Sequence, residues 1–185
     1  AIVSALYFGG HLDNGRQMMK MTGMMPKMLD KSRFCRRLHQ LESLLCCLFF
    51  QVGQQLKTIA GASDYVIDSF PVAVCDNIRI SRCKLLQGMQ WRGKQCSMRR
   101  YFYGVKVQVL TTSNGIPVEF CFVPGSESDV QALKKLPMTV AAESKIYGDS
   151  AYTDYRMEDD IKYGDGIELM IQRKSNSKRP DQPWM

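Results

Sequence analysis

The run Tyr65-Val66-Ile67-Asp68-Ser69-Phe70-Pro71-Val72 sets the hardest condition on any fold open to this chain. Its aromatic and β-branched residues read as a buried strand, and one carboxylate interrupts it. An ionised carboxylate is costly to bury unless a metal ion or a partner neutralises it. Asp68 therefore asks for a cation, or else it ends the strand and serves the next turn, the ordinary fate of a single Asp. A second acid brought to the same place would decide between the two.

Before this strand the pattern is helical. Residues 1 to 7 read as the tail of a helix closed by Gly9-Gly10. Residues 13 to 28 form a second candidate, crowded by Met18, Met19, Met21, Met24, Met25 and Met28, which read as the packing face of a small helical bundle. The third helix is the clearest: after Asp30 or Ser32 as N-cap, apolar residues recur at Phe34, Leu38, Leu41, Leu45, Leu48, Val52 and Leu56. Arg33, Arg36 and Arg37 occupy its first turns. Two readings stay open: a helix-turn-helix unit whose third helix enters a major groove, or a packing domain with a solvated basic face. Small residues at Ala60-Gly61-Ala62-Ser63 mark a boundary, giving a helical region over 1–60 and a second domain over 61–185.

Beyond the boundary, strands are expected over residues 65 to 74, 101 to 111 and 117 to 123. Asn114-Gly115 joins the last two, because both residue types tolerate positive φ in a tight hairpin, so these strands should pair antiparallel. A short helix through Val130, Leu133 and Leu136 follows, then a strand at Lys145-Ile146-Tyr147-Gly148 leading into Asp149. A helix over 153 to 163, a strand over 167 to 172 and a basic tail from Arg173 to Arg179 complete the order. Three strands, helix, strand, helix, strand is the order of a ribonuclease-H-like α/β fold, a mixed sheet flanked by helices. In that architecture the first and fourth strands are neighbours, which would bring Asp68 and Asp149 within reach of shared metal ions.

The net charge of +7 favours an anionic partner, with nucleic acid ahead of a membrane surface. Between Asn77 and Val118 there is no acidic residue, while Arg79, Arg82, Lys84, Arg92, Lys94, Arg99, Arg100 and Lys106 are interleaved with Trp91, Tyr101, Phe102 and Tyr103. Cations that track phosphates and aromatics that stack on bases suit a DNA-binding groove. The tail from Arg173 to Arg179 reads either as a further DNA contact or as disordered. Seven cysteines without a C-x-x-C pair, and His11 and His39 badly spaced for a zinc finger, predict reduced thiols rather than a metal site. With no apolar stretch long enough for a membrane helix and no leader, the expected compartment is the cytoplasm.

Several motifs together resemble the DDE transposases of bacterial insertion sequences, most closely the insertion sequence 982 family. They are Tyr7-Phe8-Gly9-Gly10, Lys31-Ser32-Arg33-Phe34, Ile67-Asp68-Ser69-Phe70-Pro71-Val72 and Asn77 to Lys84. Arg99 to Val107, Pro124-Gly125-Ser126, Ser128-Asp129-Val130, and Tyr147-Gly148-Asp149 with Ala151-Tyr152 extend the similarity over essentially the whole chain. The resemblance implies a ribonuclease-H-like catalytic domain after a helical region that helps bind the ends of the element. It implies double-stranded DNA as partner, both terminal repeats and target, a homo-oligomer assembled on that DNA, and a bacterial, nucleoid-associated setting.

Carried over by position, Asp68 matches the first catalytic acid of the family and Asp149 the second. The third, a Glu on a helix after the last strand, lies in the family beyond the Pro183-Trp184 region, so the expectation is a C-terminally truncated chain, its fold incomplete there. Glu143, Glu158 and Glu168 fall in the wrong elements to replace it. The family usually has Lys where this chain has Ser150, and His where it has Gln108. The implied chemistry is phosphoryl transfer with Mg²⁺ or Mn²⁺: carboxylates hold two hard ions roughly 4 Å apart, which serve the entering and leaving oxygens of an in-line displacement. With two of three acids, weak metal binding and little strand transfer are expected of this chain alone. The other reading is a catalytically inactive DNA-binding remnant that only occupies element ends.

Overall fold

The computed structural model describes residues 7–75, 77–95 and 99–180. The expected helix end over residues 1 to 7 lies, apart from Tyr7, outside them, as do Cys96 and the Pro183-Trp184 pair. The chain forms two compact units, Ala1–Gln51 and Val52–Met185.

The first unit is helical. Helix α1 (Leu12–Met21) carries Asp13 in its first turn, where it accepts a 2.7 Å hydrogen bond from Arg16 Nε. It is shorter than the sequence predicts, because Gly23 takes a positive φ of 74° and turns the chain away. Once the helix stops, Met24 and Met25 no longer continue its face, and with Met21 they are exposed rather than packed in a bundle core. Helix α2 (Lys31–Gln40) begins at Asp30, whose carboxylate accepts from Arg33 N at 2.9 Å. The single long helix expected from the apolar row is broken at Leu41, where the N–H bonds to Leu38 O in a tight last turn. Helix α3 (Glu42–Ala60) restarts at once. No Pro or Gly marks the break; Glu42 suits a new N-terminal turn because its charge opposes the positive end of the helix dipole.

The last turns of α3, from Val52 onward, belong to the second unit and dock on its sheet. Gly53 permits the approach, since a Cβ there would sit 2.0 Å from Val118 O. One turn on, Lys57 is buried and donates to the Glu119 carboxylate, to Thr139 Oγ1 at 2.9 Å and to Thr139 O at 3.2 Å. Thr139 N in turn donates to the same Glu119 oxygen at 2.9 Å.

That sheet has six strands: β1 (Asp64–Cys75), β2 (Arg92–Gln95), β3 (Arg100–Thr112), β4 (Pro117–Pro124), β5 (Lys145–Gly148) and β6 (Glu168–Ile171). Strand β1 pairs antiparallel with β3 on one side and parallel with β5 on the other, and β6 continues the parallel half. Successive stretches of β3 pair with β2 and β4. The expected β3–β4 hairpin turns through Asn114-Gly115, with Gly115 at φ 78°. Strand β2 has no counterpart in the sequence reading; four residues with a central Gly carry too little alternation to announce a strand. Helices α4 (Asp129–Leu133) and α5 (Tyr155–Asp165) complete a mixed α/β unit. Its core gathers Tyr65, Ile67, Leu110, Leu133, Ile146 and Ile171.

Lys57→Met strands the Glu119 charge in the interior, so it should cost about 3–5 kcal/mol, whereas the joint change Lys57→Met with Glu119→Leu should recover most of that loss. Urea unfolding of the three proteins checks this.

Candidate active site

Alternation along β1 sends Tyr65 and Ile67 into the core and leaves Val66, Asp68, Phe70 and Val72 on the opposite face, which is exposed. The strand is therefore buried on one side only, and Asp68 does not bear the interior cost that the apolar run suggests. Directly across β3, Asp68 is paired with Val109, so that face continues through Val107 and Val105 to Phe122 on β4. Phe70 and Phe122 are 51% and 61% exposed, which makes this an apolar surface around an acid.

Strand β5 brings the second acid to the first. Its parallel register runs to Val66 opposite Tyr147; continued two residues along each chain, past the end of β5 at Gly148, it would set Asp149 beside Asp68 on the same face. The strands are still close beside that point, because a Cβ on Gly148 would meet Ile67 Cγ2 at 3.0 Å and Ile171 Cδ1 at 3.1 Å. Gly148 is thus the residue that lets the acid-bearing ends come together. Each carboxylate has one backbone partner: Asp68 Oδ1 accepts from Ser69 N at 2.7 Å, and Asp149 Oδ1 from Ala151 N at 2.9 Å. Asp149 does cap a turn, the short 3-10 segment Ser150–Tyr152, and still faces solvent.

Beneath the acids a buried polar set fixes the backbone. Gln108, fully buried on β3, donates through Nε2 to Tyr152 Oη. Ser69 Oγ donates to Asp129 Oδ1 at 2.7 Å, and Lys106 Nζ donates to Glu127 O at 2.8 Å and to Asp129 at 3.2 Å. Burial holds the Tyr152 phenol well above the ordinary tyrosine range, and the Asp129 and Asp68 carboxylates add to this.

The basic residues divide by face. Arg92 and Lys94 on β2 pair with Tyr103 and Tyr101, and alternation along β3 puts both cations on the face that carries Asp68. Arg92 also lies 5.1 Å from the Tyr101 ring centre. Arg79 and Arg82, on the 3-10 segment Asn77–Arg82, are exposed, as are Lys84, Arg99 and Arg100. Lys106 differs from the rest of the sequence-selected set, since β3 turns it to the inner face and Asp129 and Glu127 occupy it. In the helical unit Arg33, Arg36 and Arg37 are all exposed on α2.

Residues 59–182 match the family described as the transposase DDE domain. The chain belongs to this DDE transposase family. Neither comparison with curated proteins nor comparison with solved structures gives a match. DDE transposases act on DNA and generally use divalent metal ions. The donors at the DDE domain's paired strands are of the right kind, two carboxylates for a hard cation. They are a partial set, because no group of three or more His, Cys, Asp or Glu suited to a metal exists among the described residues. Glu158 is taken by a two-pronged pair with Arg173, Glu168 by Lys162, and Glu143 lies at the opposite end of β5. Gln108 retains a donor toward Tyr152, a bond that a histidine at this position could also supply. Among the described residues no helix of the DDE chain is long and apolar enough to cross a membrane, and Cys35, Cys46, Cys47, Cys75, Cys83 and Cys121 form no disulfide.

The site's support was not visible in the sequence: nothing in the spacing of Ser69, Lys106, Gln108, Asp129 and Tyr152 marks them as one cluster. Tyr152→Phe leaves the buried Gln108 amide without its acceptor and should lower stability by about 1–3 kcal/mol in urea unfolding at neutral pH. In the wild type the folded phenol ionises later than the unfolded one. Stability should therefore fall as pH rises above about 10, and this contribution to the slope should be absent in Tyr152→Phe.

Proposed function

We propose that this chain carries part of the catalytic centre of an insertion-sequence transposase, with Asp68 and Asp149 as metal-binding catalytic acids. The observation that carries this reading is the parallel β1–β5 register, which pairs the strand that contains Asp68 with the strand that leads into Asp149, both acids being exposed. The topology, with β1 between β3 and β5, supports a ribonuclease-H-like assignment of residues 61–185, with 1–60 as the helical region that grips DNA. The joined motifs around Asp68, Gly104, Gly125 and Asp149 support the insertion sequence 982 group as the nearer kin. The two-carboxylate donor set supports reading residues 1–185 as a fragment of the site, with the third acid on a further helix, as the resemblance implies.

In this reading Asp68 and Asp149 bind Mg²⁺ or Mn²⁺ through hard oxygen donors. Bound divalent ions would polarise the scissile phosphate and activate water or a 3′-hydroxyl for in-line attack. The chain's own part is positioning. The Ser69 and Ala151 amides orient the two carboxylates, and the Gln108–Tyr152 bond holds the turn that carries Asp149. Arg92 and Lys94 offer phosphate contacts on the same face, joined by Arg79, Arg82, Lys84, Arg99 and Arg100 around the edge. Arg33, Arg36 and Arg37 contact DNA from the helical unit, and copies of the chain assemble on the element's paired ends. Lys106 contributes by holding Asp129 rather than by touching DNA.

With Mn²⁺, a duplex carrying the element's terminal repeat should be nicked slowly, and Asp68→Ala and Asp149→Ala should each reduce nicking to background. Cleavage that survives both changes would refute the assignment. Isothermal titration with Mn²⁺ gives a second readout, in which the weak binding of the wild type disappears in either variant.

A further inference from the structure

The stretch from Arg173 to Arg179 sorts its charges by residue type. Arg173 is buried against Glu158, with Nη1 2.8 Å from Oε1, and Arg179 holds both Asp159 oxygens at 2.8 and 2.6 Å. Both guanidinium groups also lie over the Tyr155 ring, 5.2 and 4.9 Å from its centre. The segment is thus folded onto α5. Between these anchors the Lys174-Ser175-Asn176-Ser177 turn closes through Ser177 N to Lys174 O at 2.9 Å, and Tyr155 Oη accepts from Lys178 N at 3.0 Å. Lys174 and Lys178 stay exposed, and among the described residues no carboxylate pairs with either.

The two lysines border a cleft of about 400 Å³, together with Ser150, Ala151, Thr153, Tyr155, Asn176 and Ser177. Ser150, on the wall of the cleft, follows Asp149 directly in the chain. Among the described residues, nothing engages the Lys174 and Lys178 ammonium groups, the Ser150 hydroxyl or the Asn176 amide, and no carboxylate lines the cleft. A DNA strand brought next to Asp149 carries a negative charge toward a carboxylate, and nearby cations are needed to offset that repulsion. Arginine forks are used up on carboxylates with which they match geometrically, whereas the lysines remain as flexible point charges of the kind that holds a phosphate.

We propose that this cleft is a phosphate subsite, in which Lys174 and Lys178, with Ser150 and Asn176, hold a DNA backbone phosphate beside Asp149. The subsite rests on the reading of Asp149 as part of the DNA-processing site. It supplies from the far end of the chain the cation that position 150 lacks.

The test is binding of a fluorescein-labelled DNA duplex to the full chain in EDTA, followed by anisotropy across a salt series. If the two lysines hold that phosphate, Lys174→Gln with Lys178→Gln should lower affinity about tenfold or more at low salt and flatten the slope of log K against log salt by about one, since each neutralised phosphate contributes roughly 0.9. Lys174→Arg with Lys178→Arg should retain the slope. An unchanged slope and affinity in the Gln variant would overturn the subsite. Because EDTA removes any metal contribution, that result would leave the acid pair standing, and failure of Mn²⁺ titration alone would leave the subsite standing.

Discussion

The pairing of β1 with β3 is the constraint on which the rest depends. Its register sets Tyr65 against Thr112 and Ile67 against Leu110 on the buried side, and by the same stroke sets Asp68 against Val109 on the open side. A slip of one residue would turn Ile67 out and drive Asp68 inward, exchanging a core residue for an unpaired charge. Core formation and exposure of the acid are therefore one decision. Strand β5 then inherits its level from β1, and Asp149 from β5.

Buried ion pairs do the fastening. Lys57 with Glu119 joins α3 to β4 through Thr139, and Arg173 with Glu158 joins the last segment to α5. Neither pair is a cheap way to gain stability, since each charge loses its hydration, but each fixes one arrangement because any other leaves a charge unmatched. The same selection leaves a consistent remainder outside. Among the described residues, cations without a carboxylate to match lie on the β2 edge and at the cleft lined by Lys174 and Lys178.

Much of this was legible in the residues. The strand around Asp68, the hairpin at Asn114-Gly115, the strand before Asp149 and the pairing of those two strands follow from short-range patterning and strand order, which local chemistry writes into sequence. Misread features depended on contacts far apart in the chain. Lys106 sits in an acid-free basic run, yet β3 turns it toward Asp129 and Glu127. The final basic run reads as a DNA tail or a disordered end; two carboxylates of α5 capture its arginines and fold it, which leaves its lysines exposed. The apolar row from Phe34 to Leu56 predicted one helix, and nothing in it announces the break at Leu41. Asp68 is expected in a buried strand but lies on an exposed face, because a run of apolar residues does not say how many faces are covered.

By itself, then, the sequence determined the strands other than β2, where the hairpin turns, and that two aspartates follow or interrupt strands that can be neighbours. Periodicity, turn chemistry and composition are local properties, and they survive without knowledge of what lies opposite. The tertiary structure alone decided which side of each strand faces solvent, which cations are spent on internal carboxylates, and which stay exposed. Those outcomes depend on burial and on Coulomb partners separated by as many as 62 residues, as for Lys57 and Glu119, and no window along the chain contains both halves of such a pair.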